Sequence, residues 1–247
     1  MSDTATTKSY QVALLLFQGV DMLDVTGPVE VLSHVSHSQS PALSSQTFEI
    51  KTVASGASVV AASSLQVEVD FLLEEIRPRI TEFDMLVVPG AALPILQPLL
   101  ESGAPELDLI RAFAAIQAPA ERPRILFSVC TGAILLGAAG VLSGLTVTTH
   151  HHALDTLRDI CAGVNHTRGD SPPRIVRRRF VDGGCVAGTK VQVITSGGIS
   201  SGLDATFYIV CRLTTAETAS FISRVMEYGW KEPEDGAWPP RFQVALD

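Results

Sequence analysis

Strand-length apolar runs that alternate with helix-like segments are the feature that most constrains the fold of this chain. Three of these runs, QVALLLF, FDMLVVPGA and ILFSVC, are continuously apolar instead of alternating with polar residues. A strand of that kind has both faces covered, which is typical of a parallel sheet between two layers of helices. The sequence therefore predicts an α/β protein: a flavodoxin-like three-layer sandwich with a mostly parallel central sheet.

The order of segments gives coarse expectations for individual elements. The first strand is expected over 11–17. The helix that follows is expected to begin near Gly27 and Pro28, because proline is tolerated in the first turn of a helix. Residues 58–71 predict one or two short strands, which could form a hairpin. Residues 175–184 and 189–198 predict two further strands with a glycine-rich connection.

Domain organisation is expected to be simple. The chain has no internal repeat and no low-complexity linker. We expect a single α/β domain over 11–230, between a polar N-terminal tail at 1–10 and a C-terminal tail at 231–247.

Composition excludes several classes of partner. The 247 residues are 46% hydrophobic, enough for a sizeable core, and the formal net charge is -8, which repels nucleic acids and anionic membranes. The arginines of IVRRRF, 175–180, could form a basic patch, but a solvated face of a strand is the favoured interpretation. The N-terminus has no signal-peptide pattern and no run of about 18 apolar residues occurs. A soluble cytoplasmic protein with no nucleic-acid or membrane partner is predicted.

The four cysteines are scattered without the close paired spacing of a zinc site or a disulfide framework, so we expect free thiols. Cys211 lies in an apolar run and is interpreted as a core residue, and Cys185 is expected in a turn or hairpin tip. Cys130 differs because it stands between an apolar strand and a helix-like run. A structural cysteine is expected within a run, so its position favours a reactive residue.

A cysteine on a strand-to-helix turn would form a nucleophile elbow. The elbow at Cys130 would project from the carboxyl edge of the sheet, where ligands bind in parallel sheets. The helix N-terminus and the following backbone N–H groups are expected to favour a thiolate there. The small residues Thr131, Gly132 and Ala133 would let a substrate approach the backbone closely.

A thiolate needs a partner for proton transfer, and two acids follow the first strand. Asp21 and Asp24 lie in a loop that could reach the same crevice as Cys130. An acid between Leu23 and Val25 would also be partly desolvated. Asp24 could equally satisfy backbone donors just before the helix, and the sequence does not decide between the two roles.

Three consecutive histidines, 150–152, do not make a metal site by themselves, because adjacent side chains point in different directions. A helix start or a solvated run is the favoured interpretation, although His150 could line the crevice. No metal ligand set is predicted. The glycine-rich stretch 195–204 lacks the lysine and spacing of a phosphate-binding loop, and close backbone approach to the crevice is the expected use.

Four motifs together resemble the ThiJ/PfpI superfamily, whose fold is that of class I glutamine amidotransferases. They are LLLFQGVDMLDVTGPVEVL, FDMLVVPGA, FSVCTGAILLGAAGVLSGLTVTTHH and ITSGGISSGLDATFYI, and the resemblance covers about 11–228. Within the superfamily, LDVTGP, SVCTGA and TTH are similar to the isonitrile hydratase branch, whose members convert R–N≡C to a formamide.

The resemblance implies roles for individual residues. Cys130 would be the nucleophile, Asp24 the acid beside its sulfur and Thr131 the neighbour that follows it. Gly90 and Ala91 would supply backbone donors near the sulfur.

Further positions are implied to bind substrate, namely Gly132, His150 and Ile199, with Ile199 packing by the cysteine at a helix start. Many amidotransferase and protease relatives have a histidine directly after the nucleophile, whereas this chain has Thr131, which disfavours those activities. The arginine-rich hairpin and the run of histidines depart from the bacterial hydratase pattern.

The sequence thus predicts a cofactor-free hydratase that adds water to an isonitrile, a small-molecule substrate. The resemblance also implies a homodimer. One alternative keeps Cys130 in a lyase, glyoxalase or cyclase that acts on another small electrophile or a natural-product intermediate. Another is a non-enzymatic redox or ligand sensor.

Overall fold

The computed structural model describes residues 9–37, 47–101, 103–117 and 123–231. Its strands are β1 Ser9–Leu15, β2 Thr47–Ala54, β3 Ser58–Val60, β4 Gln66–Glu68, β5 Phe71–Leu72, β6 Met85–Val88, β7 Arg124–Ser128, β8 Thr146–Val147, β9 Arg174–Ile175, β10 Phe180–Cys185 and β11 Val191–Ser196. Its α-helices are α1 Met22–His37, α2 Leu73–Ile76, α3 Leu93–Leu96, α4 Pro105–Ala114, α5 Gly132–Ala139, α6 Leu154–Arg168, α7 Ser201–Leu213 and α8 Ala216–Val225. Short 3₁₀ turns follow α2 and α3 and precede α6.

The central sheet has the order β10-β11-β7-β6-β1-β2-β5. All neighbouring pairs are parallel except β10 with β11, which is antiparallel at one edge. Strands β6, β7 and β11 are buried along their whole length, as expected for strands covered on both faces. The predicted mostly parallel sheet is confirmed.

Helices cover the sheet in two groups. Helices α1, α7 and α8 pack against one another, and a second group is formed by α4, α5 and α6 in that order. The sheet between the two groups makes the predicted three-layer sandwich. Among the residues described, none of the helices has both the length and the apolar character needed to cross a membrane.

The start of α1 differs from the sequence prediction. The helix begins at Met22, so Pro28 lies inside it and not in its first turn. The Asp21 side chain accepts a hydrogen bond from the Leu23 N–H (3.3 Å), which satisfies one of the free donors at the helix start. Pro28 has no N–H to donate to the Asp24 carbonyl, a loss the helix tolerates. The correction places Asp24 in the first turn of α1.

Two other element boundaries need correction. Strand β1 begins at Ser9 and pairs with Thr47, so the last residues of the expected N-terminal tail belong to the sheet. The strand expected over 175–184 is divided into β9 and β10, with the arginines 177–179 between them. The expected hairpin over 58–71 is present as β3 and β4, which pair in antiparallel fashion.

The topology directs several loops to one edge of the sheet. Strands β1, β6, β7 and β11 are parallel, so their carboxyl ends lie at the same edge. After β1 the chain forms β2 on one side of β1, and it later forms β6 on the other side of β1. This switch between β1 and β6 opens a crevice of the kind in which parallel sheets bind ligands.

Candidate active site

Cys130 lies at the carboxyl edge of the sheet in a strained backbone conformation. It follows β7 by two residues and has φ +56°, in the left-handed region that non-glycine residues rarely adopt. Its N–H donates to the Gly197 carbonyl (3.1 Å), and its carbonyl accepts from the Thr149 hydroxyl (2.9 Å). Such conformations persist where surrounding contacts hold them, and they cluster at functional sites.

Two glycines allow the end of β6 to meet the start of α5. A Cβ at Gly132 would lie 2.1 Å from the Val88 carbonyl oxygen, and one at Gly90 would lie 2.4 Å from Thr131 Oγ1. Neither position tolerates a side chain without movement of the backbone around Cys130. Gly132 is buried in this contact, and its lack of a side chain lets α5 begin directly against the end of β6.

Asp24 is fully buried beside the elbow. Its Oδ2 accepts a hydrogen bond from the Gly90 N–H (3.0 Å). Within the described segments, its Oδ1 receives no N–H or O–H hydrogen bond. Burial, and secondarily the negative charge of Asp21, raise the pKa of Asp24 from 3.8 to about 7, although hydrogen bonds from Gly90 and the Cys130 thiol act in the opposite direction. This carboxyl group therefore titrates near neutral pH.

The thiol of Cys130 is not activated by a lowered pKa, contrary to the expectation from its place before a helix. Burial and the neighbouring Asp24 carboxylate raise its pKa to about 12. Hydrogen bonds from the Ile199 and Thr131 backbone lower the pKa, but by less. The site removes both groups from water and places a negative charge beside the sulfur, and these effects outweigh the helix dipole.

Cys130 and Asp24 consequently behave as one titrating pair. Between pH values of about 7 and about 12 the pair holds a single proton and carries one negative charge. That proton can reside on sulfur or on the carboxyl oxygen. A pair of this kind can present a nucleophile and hold a proton for transfer without a permanently charged thiolate.

The backbone donors near the sulfur differ from those expected. The N–H of Gly90 is bonded to Asp24, and the N–H of Ala91 donates to Thr131 Oγ1 (2.9 Å). The Thr131 hydroxyl in turn donates to the Ala91 carbonyl (2.6 Å). Gly90 and Ala91 therefore hold the carboxylate and the threonine in place, while the amides that act on sulfur belong to Ile199 and Thr131.

A cavity of about 290 Å³ opens onto Cys130. Of the residues proposed from sequence, it is lined by Cys130, Thr131, Ala91, His150 and Ile199; Asp24, Gly90 and Gly132 are not among its lining residues. The rest of its wall is Asp21, Ala92, Leu93, His152 and Ala153. The structure thus brings most of the predicted residues around one small, largely apolar space.

The three histidines open a short 3₁₀ turn, the interpretation favoured from sequence, but His150 also faces the cavity. Its Nδ1 accepts the N–H of His152 (3.3 Å). Desolvation, and then the neighbouring His151 and His152, lower the pKa of His150, so the ring is neutral and carries its proton on Nε2. In the part of the chain that the structure describes, no group of three or more His, Cys, Asp or Glu is placed to hold a metal ion.

Sequence reasoning missed several residues that shape the site. Thr149 and Gly197 fix the Cys130 backbone through the two hydrogen bonds described above, although they lie far from it in sequence. The sequence places Asp21 in a loop that could reach the crevice but gives it no role, whereas in the structure it lines the cavity and raises the pKa of Asp24. The spacing of Asp21 and Asp24 on one helical turn was the available signal.

The site has the form of a buried cysteine and carboxyl pair at a strand-to-helix elbow of a parallel α/β sheet. The model of the DJ-1/PfpI family matches residues 10–210, and the chain belongs to this family. An isonitrile hydratase from Pseudomonas putida is 31% identical over 239 residues, which cover 96% of this chain and 86% of that protein.

Solved structures share the fold. A ThiJ/PfpI family protein from Pseudomonas syringae superposes with a TM-score of 0.66 at 23% identity, covering 96% of this chain and 86% of that one. Drosophila melanogaster DJ-1beta gives a TM-score of 0.67 at 18% identity, covering 90% of this chain and all of that one. These comparisons confirm the family resemblance and the three-layer α/β fold.

Proposed function

We propose that the protein is a cysteine-dependent hydratase that adds water to an isonitrile and releases an N-substituted formamide. The observation that carries this proposal is the pairing of the buried Asp24 carboxyl with the thiol of Cys130, which lines a small cavity. The similarity to the isonitrile hydratase of Pseudomonas putida supports the choice of substrate. Thiol and carboxyl together supply the nucleophile and the proton, so the proposed reaction needs no cofactor.

The first half of the reaction joins the isonitrile to the enzyme. Cys130 sulfur attacks the terminal carbon of R–N≡C and forms a C–S bond, while its proton passes to Asp24. Asp24 then delivers that proton to the same carbon. The product is a thioimidate, R–N=CH–S–Cys130, in which every atom of the thiol and the isonitrile is retained.

The second half consumes water. Ionised Asp24 takes a proton from a water molecule while the oxygen of that water bonds to the thioimidate carbon. Asp24 then transfers the proton to the nitrogen of the thioimidate. The resulting R–NH–CH(OH)–S–Cys130 then collapses. Its C–S bond breaks, the hydroxyl proton returns to sulfur through Asp24, and the formamide R–NH–CHO leaves.

The acidity of Asp24 suits this alternation. A group that accepts and donates a proton in successive steps works best when its pKa is close to the working pH, and that of Asp24 is about 7. The same carboxyl group, if exposed, would be a weak base with a pKa near 3.8. Burial is therefore the property that makes Asp24 useful.

The remaining predicted residues have positioning roles in this proposal. Thr131 bonds both backbone groups of Ala91 and so fixes the loop after β6 against the elbow. Gly90 donates to Asp24 and orients its carboxylate. His150 and Ile199 form the wall that the isonitrile substituent would contact.

We extend the proposal to the cellular context expected from sequence: a cytoplasmic homodimer with a single domain that begins with β1 at Ser9 and ends near residue 230. Several large apolar side chains stand exposed near the site and could be covered by a second copy, among them Leu23, Leu93 and Ile95. Light scattering coupled to size-exclusion chromatography would check the oligomeric state, and a monomer at micromolar concentration would contradict it.

The test of function is an assay of formamide formation from a panel of aliphatic and aromatic isonitriles, run beside methylglyoxal. The proposal expects turnover of at least one isonitrile and its loss in Cys130→Ala. The Cys161→Ala variant, which removes another buried thiol, is the matched control and should retain turnover. Turnover of methylglyoxal alone would favour the glyoxalase alternative.

A further inference from the structure

The two aspartates at the start of α1 differ in their access to the cavity at Cys130. Asp24 is fully buried and is not among the residues that line this cavity, whereas Asp21 is half-buried and lines it together with Cys130. The proposed hydrolysis of the thioimidate needs a water molecule beside the carbon that is bound to sulfur. A fully buried carboxyl group presents no surface with which to collect that water from the cavity, so Asp24 needs a partner that does.

Asp21 is fixed relative to Asp24 through Gly90. The Asp21 N–H donates to the Gly90 carbonyl (2.9 Å), and the Gly90 N–H donates to Asp24 Oδ2 (3.0 Å). The side chain of Asp21 is held as well, because its Oδ1 accepts the Leu23 N–H (3.3 Å) in the first turn of α1. These contacts hold the two carboxyl groups in one arrangement around a single glycine residue.

The side chain of Asp21 can bind water in addition to this contact. An ionised carboxylate has two oxygens with about four lone-pair positions, and the Leu23 N–H uses one of them. The negative charge of Asp21 also acts on the reacting groups: burial is the main cause of the raised pKa values of Asp24 and Cys130, and Asp21 contributes to both. A carboxylate that lines the cavity within electrostatic range of both groups is well placed to accept a hydrogen bond from a water beside them.

Other polar side chains of the cavity wall are less suited to accept a hydrogen bond from this water. The Thr131 hydroxyl donates to the Ala91 carbonyl and accepts the Ala91 N–H. His150 Nδ1 accepts the His152 N–H, which leaves the proton on Nε2 and makes that nitrogen a donor. Among the described residues that line the cavity, His152 is the one rival side-chain acceptor.

We propose that Asp21 is a second catalytic residue, which binds and orients the water molecule that hydrolyses the thioimidate on Cys130. This deepens the hydratase proposal and rests on it for the reaction. One O–H of the water donates to Asp21, and the proton of the other O–H passes to Asp24 as the water oxygen bonds to the thioimidate carbon. Asp21 takes up no proton, so Asp24 alone transfers the proton to nitrogen and the balance of the reaction is unchanged.

The first experiment uses Asp21→Ser. Serine removes the carboxylate from the cavity but keeps an oxygen that can accept the Leu23 N–H, so the start of α1 should be preserved. Each protein is mixed with an aromatic isonitrile at pH 9, which keeps Asp24 ionised because its pKa is about 7. The reaction is quenched at set times, and the Cys130 peptide and the formamide are measured by mass spectrometry.

The expected result is a block in the second half of the reaction. In Asp21→Ser the adduct on Cys130 should accumulate, and kcat and KM should both fall about tenfold with kcat/KM unchanged, because only breakdown is slowed. Asp24→Asn should form little adduct, since it lacks the acceptor for the thiol proton. Asp159→Asn, which changes an exposed carboxylate on α6, is the control and should behave as wild type.

The second experiment does not need isonitrile turnover. Cys130 is acetylated with p-nitrophenyl acetate, and loss of the acetyl group to water is followed by peptide mass spectrometry. The exposed Cys185 of the same molecule is the internal reference. The wild-type protein should lose the acetyl group faster from Cys130 than from Cys185. Asp21→Ser should slow the loss at Cys130 about tenfold and leave that at Cys185 unchanged.

The outcomes distinguish the two proposals. Equal levels of adduct in Asp21→Ser and wild type, with turnover in both, would overturn the role of Asp21 and leave the hydratase function standing. Absence of isonitrile turnover in the wild-type protein, with Asp21-dependent loss of the acetyl group, would overturn the hydratase function and support Asp21 as the residue that holds water at Cys130. Accumulation of adduct in His152→Ala, with none in Asp21→Ser, would assign the water to His152 and overturn the proposal.

Discussion

Replacing Asp24 by asparagine should increase the free energy of unfolding relative to wild type, and this gain should be larger at neutral and alkaline pH than at acid pH. The pKa of Asp24 is raised from 3.8 in an exposed carboxyl to about 7 in the folded protein. Between these values the folded state holds a proton that the unfolded state has lost. The free energy of unfolding of the wild-type protein therefore falls as pH rises through this window.

The magnitude follows from the two pKa values. Each unit of separation corresponds to about 1.4 kcal/mol, so a carboxyl shifted from 3.8 to about 7 costs about 4 kcal/mol at pH values above 7. At pH 5 only about 1.6 kcal/mol of this cost is present, because the folded carboxyl is still protonated. The contribution of Asp24 to the free energy of unfolding should change by about 3 kcal/mol between pH 5 and pH 8.

Urea unfolding, followed by circular dichroism at several pH values from 5 to 8, measures this directly. The difference in unfolding free energy between Asp24→Asn and wild type should move by about 3 kcal/mol in favour of the variant over that range. The asparagine oxygen can still accept the Gly90 N–H, so the fold should persist. Asp159→Asn, an exposed carboxylate on α6, is the matched control. If the free energies of unfolding of Asp24→Asn and wild type changed in parallel with pH, the pKa of Asp24 would not be raised and the reasoning would be refuted.

Three further predictions concern the same site. The kcat/KM for an isonitrile should rise with pH through about 7, because Asp24 must be ionised to accept the thiol proton, and a profile flat from pH 5 to 9 would contradict this. Thr131→Val should lower turnover about tenfold by releasing the Ala91 loop, and Thr131→Ser should restore it, as steady-state kinetics would check. Gly90→Ala should destabilise the fold by about 2 kcal/mol in urea unfolding, because its Cβ would lie 2.4 Å from Thr131 Oγ1; an unchanged unfolding midpoint would contradict that contact.

The parallel sheet could be predicted because its signal is local. A continuous apolar run such as β7 specifies a strand covered on both faces, and every residue of β7 is buried. The position of Cys130 just after that run also specified an elbow at the carboxyl edge, where the structure has it. The start of α1 is not predicted correctly, because proline is favoured in the first turn of a helix but Pro28 lies inside α1, which begins at Met22. The Asp21 side chain just before the helix accepts a hydrogen bond from the Leu23 N–H in its first turn.

The electrostatic state of the site could not be predicted in the same way. The sequence places Cys130 before a helix, which favours a thiolate, but it does not specify how completely the sulfur is buried or that Asp24 lies beside it. Thr149 and Gly197 fix the Cys130 backbone from distant strands and loops. Such contacts arise only from the tertiary packing of segments that are far apart in the chain.

The most direct test of the account is to react the purified protein with an aromatic isonitrile in H₂¹⁸O, and to analyse product and protein by mass spectrometry. The account predicts formamide that carries one ¹⁸O, together with a transient adduct on the Cys130 peptide equal in mass to the whole isonitrile. Neither should form in Cys130→Ala. Formamide produced at the wild-type rate by that variant would contradict a mechanism through Cys130.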